Sequence, residues 1–221
     1  MNKLFSSFDP STSMSFSLNW ISSLMGLIIL PINFWFMPSR INIMINNIYM
    51  QLFKEFKMML SNKSKGLTLI MNTLFMFILN NNIMGLMPYI FTSSKHMTFT
   101  LSQSLPLCIL FMLFGWFNNT VYMLAKKHFW DASHKPQQPT VIIETISNII
   151  RHSSLTVLLT ANMIAGHLLM SLLGNNSISM NSYLLSIIMM IQILLMMFES
   201  AVSMIQAYVF SIFSTLYSSE V

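Results

Sequence analysis

SYLLSIIMMIQILLMMFESAVSMIQAYVFSIFSTL, residues 182–216, is an apolar run of 35 residues with one charged side chain, Glu199. As a continuous helix it rises about 52 Å, against roughly 30 Å of hydrocarbon in a bilayer. A helix of that length tilts, kinks or protrudes. Its counterpart is VIIETISNIIRHSSLTVLLTANMIAGHLLMSLL, residues 141–173, again longer than a bilayer is thick. Between them Gly174-Asn175-Asn176-Ser177 supplies turn residues for a hairpin.

Working outward, two more runs are long enough to span: 67–90, interrupted by Asn80-Asn81-Asn82 and ending near Gly85 and Pro88, and 98–124. A first span covers 15–37, with Trp20 and Trp35 at the depths of the two interfaces. Residues 41–60 differ: Ile41, Met44, Ile45, Ile48, Leu52, Phe56, Met59 and Leu60 recur at helical spacing, with Asn47, Gln51, Lys54, Glu55 and Lys57 between them. That pattern is an amphipathic helix lying on a membrane surface. Ser61 to Gly66 is a basic turn, and AKKHFWDASHKPQQPT, 125–140, is a polar loop. The predicted fold is all-α, a single membrane domain over 1–221. It has about five hydrophobic helices and one amphipathic surface helix, the last two forming a long tilted hairpin.

Composition agrees. Of 221 residues 54% are hydrophobic and 8% charged, where a soluble domain carries about a quarter charged. The formal charge of +5 sits between the apolar runs, so it orients the chain and does not mark a nucleic-acid surface. With the amino terminus outside, Arg40, Lys54, Lys57, Lys63, Lys65, Lys126, Lys127 and Lys135 fall inside, and only Lys3 and Lys95 outside. The carboxyl terminus is then inside. Residues 1–17 have neither the order of a cleavable signal nor the arginines of an import presequence. Cys108 stands alone in an apolar run, a small buried residue with no disulfide or thiolate partner.

Ionisable groups at membrane depth cost about 2.5–3.5 kcal/mol each on insertion scales, so each needs a reason. On 141–173, Glu144, Asn148, Arg151 and Asn162 fall within about 60° of one another, with Leu155 and Leu158 on or beside that stripe. On 182–216, Gln192, Glu199 and Gln206 stack seven apart, drifting about 20° per step. Taken singly, Gln192, Gln206 and Asn162 fit interhelical hydrogen bonding, and Glu144 and Arg151 fit a pair near a loop. Glu199 is deep, with no adjacent cation, and a carboxyl so placed exchanges protons. His167 tolerates burial when neutral and also relays protons. Two polar stripes on adjoining helices predict a hydrophilic path between them.

The blocks FDPSTS (8–13), FMPSRIN (36–42), LFKEFK (52–57), NNIMGLMPYIFTSSKHMTFTLS (81–102), ETISNIIR (144–151), LTANMIAGHLL (159–169) and ESAVSMIQAYVFSIFSTLYSSEV (199–221) resemble the a subunits of mitochondrial ATP synthases, in their arthropod and insect forms. The resemblance covers nearly the whole chain. It implies a multi-pass protein of the mitochondrial inner membrane, amino terminus in the intermembrane space and carboxyl terminus in the matrix. Its implied partners are a c-subunit ring, other membrane and peripheral-stalk subunits, and lipid. It implies two offset half-channels against the ring: His167 and Glu199 at the inlet, Asn162 and Gln206 near the ring, and Glu144 at the matrix outlet. The family's essential arginine stands four residues before the Asn of the TAN motif, in a run like AVRLTAN. Here the run is TVLLTAN and the position is Leu158. Arg151, two turns earlier on the same face, is the available stand-in. Residues 125–140 and Arg151-His152-Ser153-Ser154 depart from the family as well.

The competing reading is a structural, non-conducting membrane subunit, which Leu158 favours and the Gln192–Glu199–Gln206 stripe opposes. Haem binding is excluded on spacing: of His96, His128, His134, His152 and His167, only the last two lie in a span, 15 residues apart on one helix. Neither HExxH, GxSxG nor a phosphate-binding glycine loop occurs. No cofactor, metal or nucleic acid is expected.

Overall fold

The computed structural model describes residues 8–13, 16–29, 36–60, 66–118, 137–178 and 181–220. Among the described residues the α-helices run in order: α1 Ser22–Ile29, after a 3-10 turn at Leu18–Ile21; α2 Arg40–Leu60; α3 Leu67–Leu86; α4 Met97–Asn118; α5 Gln137–Ser177; and α6 Ser182–Glu220. A second 3-10 turn, Ser93–Lys95, lies between α3 and α4. No strand occurs among the described residues, so the protein is an all-α membrane protein. Among the described residues four helices, α3 to α6, are long and apolar enough to cross a membrane.

α6 packs along α3 and also meets α5 and α2, while α5 lies between α4 and α6. The face α6 turns to the bundle carries a run of small residues between Gln206, Phe210 and Tyr217: Ser203, Ala207, Ser211, Ser214 and Thr215 are all buried. Small side chains let two apolar helices approach closely where no hydrophobic force drives them together. Their hydroxyls are satisfied at home, Ser203, Ser211, Ser214 and Thr215 each donating to the carbonyl three residues back at 2.7–2.8 Å. α2 divides in two. Leu52, Phe56 and Leu60 join the core with Met71, Phe75 and Phe210, whereas Ile41, Met44 and Ile48 stay exposed. The Tyr208 hydroxyl donates to Glu55 Oε2 at 3.2 Å, tying α6 to α2.

Several boundaries differ from the sequence reading. Residues 137–140, read as loop, are the first turn of α5. Pro139 is tolerated there because first-turn N–H groups have no intrahelical acceptor. Gly174 to Ser177, read as the hairpin turn, continue α5, and Ser177 donates to the Gly174 carbonyl at 2.7 Å. α3 runs unbroken through Asn80-Asn81-Asn82. In apolar surroundings a backbone cannot abandon its own hydrogen bonds, so the side chains bear the cost. Asn82 is fully buried, with neither Nδ2 nor Oδ1 hydrogen-bonded. α3 ends at Leu86, not 90, and α6 reaches Glu220, not 216. Of the first span, Leu18–Ile29 is helical and residues 36 and 37 form a bend, while 30–35 lie outside the described residues. So do 119–136, which hold the end of the third span and most of the predicted polar loop. Cys108 is buried, as its apolar setting implied.

Candidate functional site

The α5–α6 seam is tightly packed at Gly166. A Cβ on that glycine would lie 2.6 Å from Glu199 Oε1, 2.7 Å from Cδ and 3.0 Å from Cγ. Glu199 therefore points at the companion helix and lies flat on its backbone, where only glycine leaves room. Its Oε1 is buried and has no hydrogen-bond partner. One residue on, His167 Nε2 is likewise buried and unpartnered.

Glu199 and His167 share a cavity of about 610 Å³ that opens beneath the loop joining α3 to α4, with Asp9, Asn19, Tyr89 and Lys95 also on its wall. The loop is held tightly. A Cβ on Gly85 would collide with the Thr92 side chain, and Tyr89 adopts φ 67°, a left-handed conformation that a tyrosine rarely takes. This return carries Lys95 inward until it is 9% exposed. Burial pushes the Lys95 ammonium down to about 8, and the attraction of Glu199 partly offsets that. At the outer rim, hydrogen bonds from the Ser11 hydroxyl and N–H hold the Asp9 carboxyl below its usual range.

Two smaller cavities continue the seam. One, of about 240 Å³, lies between Glu199, Gly166 and Asn162. The next, of about 160 Å³, is lined by Asn162, Leu158 and Gln206 among apolar neighbours. Glu199 borders the first two cavities, and Asn162 and Val202 border the last two. Gln206 is 6% exposed, with both amide atoms buried and without a hydrogen-bond partner. Such a group forfeits about 1–3 kcal/mol of desolvation, which is retained only where something polar uses it.

Five of the residues singled out in the sequence thus gather on one seam: His167, Glu199, Asn162, Gln206 and Leu158. Arg151 does not join them. It is exposed, with its guanidinium carbon 5.8 Å from the ring centroid of Tyr217 near the end of α6, and it does not line the cavity at Leu158. Glu144 belongs to α5, but its side chain lies outside the described residues. The expectation that Glu199 has no adjacent cation needs correcting. Lys95, read as an outside topology charge, lines the same cavity and attracts it from a loop more than a hundred positions earlier in the chain. Gly166 was also missed, because a glycine in an apolar helix gives no signal until the facing side chain is known. Among the described residues no cluster of His, Cys, Asp and Glu could hold a metal ion.

The family model described as ATP synthase A chain matches residues 14–219. The protein named ATP synthase subunit a of Drosophila melanogaster is 54% identical over 230 residues, covering 100% of this chain and 99% of that protein. Its namesakes from Locusta migratoria and Anopheles gambiae are 52% and 50% identical over 223 and 226 residues, with the same coverage. With a match this long and nearly end to end, the chain belongs to the ATP synthase A chain family.

Proposed function

We infer that this chain is the proton-translocating stator subunit of an ATP synthase membrane sector, forming half-channels against a ring of c subunits. It performs no catalysis alone; nucleotide chemistry belongs to other chains of the complex. The observation that carries the reading is the run of cavities from the α3–α4 loop to Glu199 and His167, and on past Asn162 to Leu158 and Gln206. With the amino terminus in the intermembrane space and the carboxyl terminus in the matrix of the inner membrane, the largest of these three cavities opens outward. It is then the inlet, where water reaches a carboxyl and an imidazole that pass protons on. The ring docks on the open apolar face of α5 and α6, where Leu158 is 53% exposed and Met197, Phe198, Met204 and Ile205 are exposed as well. Glu144, at the start of α5, belongs to the matrix outlet. The other membrane subunits and the peripheral stalk complete the surroundings.

The charge that should separate the two half-channels is missing. Leu158 can neither attract a ring carboxylate nor block leakage between the paths, and Gln206 beside it has no partner for either amide atom. Arg151 lies about 10.5 Å away along the helix axis and rests against Tyr217. The inlet is therefore built while the central cation is absent, and conduction is impaired relative to a chain with arginine at 158. Leu158 also favours the second reading, a packing subunit that does not conduct.

Proton uptake into proteoliposomes containing the whole complex separates these. The conducting reading requires Leu158→Arg to raise uptake and Glu199→Gln to abolish it in that background. If uptake stays at the level of liposomes without the complex in every variant, the packing subunit is the correct description. If Leu158→Arg changes nothing while Arg151→Ala abolishes uptake, Arg151 acts in its place.

A further inference from the structure

Lysine is almost never buried without a reason, yet Lys95 is 9% exposed at the end of the 3-10 turn Ser93–Lys95. Its position is fixed from two sides. The ammonium lies 4.9 Å from the ring centroid of Phe8, over its face, and the Gly85–Thr92 contact pins the loop behind it. From there it faces the cavity that holds His167 and Glu199. Glu199 in turn cannot withdraw along α5, since its carboxyl already rests on the Gly166 backbone. A cation and a carboxyl group are thus presented to one another across a partly enclosed polar space, from two parts of the fold that cannot easily part.

We propose that Lys95 is a positioning residue for Glu199, its buried ammonium balancing the carboxylate and so setting the proton concentration at which the inlet loads. The proposal rests on the half-channel reading and goes beyond it. The titratable groups on this cavity are Asp9 from the amino-terminal segment, Tyr89 and Lys95 from the loop, His167 on α5 and Glu199 on α6. His96 is turned away, its ring 5.2 Å from Trp20 and 5.3 Å from Phe91. Asp9 is fully exposed and Tyr89 points out to solvent, so Lys95 is the fixed positive charge of the cavity. A proton arriving at Glu199 displaces the attraction of the ammonium. Loading then needs a higher proton concentration, and release toward the ring is correspondingly easier. Lys95 is itself held at about 8, so the balancing charge is present at neutral pH and fades as the outer side becomes alkaline.

The test reads protonation and not flux, so it works whether or not Leu158 permits conduction. In the assembled complex, the infrared carbonyl stretch of protonated Glu199 is identified by its loss in Glu199→Gln and followed over pH. Lys95→Gln, and Lys95→Met as a second neutral form that keeps the stem, are expected to protonate at about tenfold lower proton concentration than the parent. Lys95→Arg, which keeps the charge, is expected to follow the parent. Phe8→Leu, which removes the ring beneath the ammonium and leaves the charge of Lys95 in place, should follow it too. Neutral variants that superimpose on the parent overturn the proposal. A Phe8→Leu shift equal to that of Lys95→Gln also overturns it, because Lys95 would then act only as an anchor. If Glu199→Gln removes no band at any pH, the half-channel reading itself fails, whatever Lys95 does.

Discussion

Replacing Gly166 with alanine sets two physical expectations against each other. In an isolated helix the change is favourable by about 0.8–1 kcal/mol, since glycine is the poorer helix former. Here the new methyl carbon would stand 2.6 Å from Glu199 Oε1, 2.7 Å from Cδ and 3.0 Å from Cγ. Ordinary contact begins near 3.4 Å, so the carboxylate oxygen must retreat by about 0.8 Å and the carbons behind it must follow. Three crowded atoms in a row cannot be relieved by twisting the terminal carboxyl alone. The side chain must change rotamer or α6 must shift, at an overpacking cost of about 1–3 kcal/mol. Displacements near 1 Å at a group that transfers protons cost up to about a hundredfold in rate. Gly166→Ala is therefore expected to lower proton uptake roughly ten- to a hundredfold in the Leu158→Arg background, with the complex still assembled. Its thermal midpoint should fall and not rise. Uptake at the parental rate with a raised midpoint would refute the claim that Glu199 bears on Gly166.

Gln206→Leu removes two buried amide atoms that have no partner, so it is expected to stabilise the complex by about 1–3 kcal/mol while reducing uptake; loss of both stability and uptake would show that Gln206 holds the helices together. Tyr208→Phe deletes one exposed hydrogen bond, to Glu55, and should cost about 0.5–1 kcal/mol in melting with uptake unchanged. Lys95 gives a pH signature. Burial holds it at about 8 against 10.5, so between those values the unfolded chain binds the extra proton and stability rises with pH. The melting advantage of Lys95→Met over the parent is expected at pH 7 and should shrink through that window; an advantage that is flat with pH would mean the ammonium is not buried.

Much of the membrane architecture is legible in the residues themselves, because a bilayer imposes rules that read directly from sequence. Runs of about 20 apolar residues must become helices, since no other form satisfies the backbone there. Residues 182–216 and 141–173 declare their excess length by count. Helical periodicity alone places Gln192, Glu199 and Gln206 on one line and Asn162 with Leu158 near another, and these lines meet in the folded chain. The helix ends were less legible. Asn and Gly mark turns in water, but in α3 and α5 they are carried through by intrahelical bonds that apolar surroundings make obligatory.

The seam's chemistry depended on contacts that the sequence does not encode locally. Nothing near Lys95 in the chain says that its loop folds inward; that follows from the fit of Thr92 against Gly85 and from the wall that α5 and α6 supply. Nothing near Gly166 says that a carboxyl from α6 lies on it. Arg151 and Leu158 share a helical face on paper, yet packing draws one to Tyr217 and leaves the other on the open face. Residue types and periods gave the helices and their polar lines, because those follow from backbone chemistry in lipid. Which charge meets which carboxyl was decided by tertiary structure, because electrostatic partners are set by distance in space, and that distance is fixed only once the helices pack.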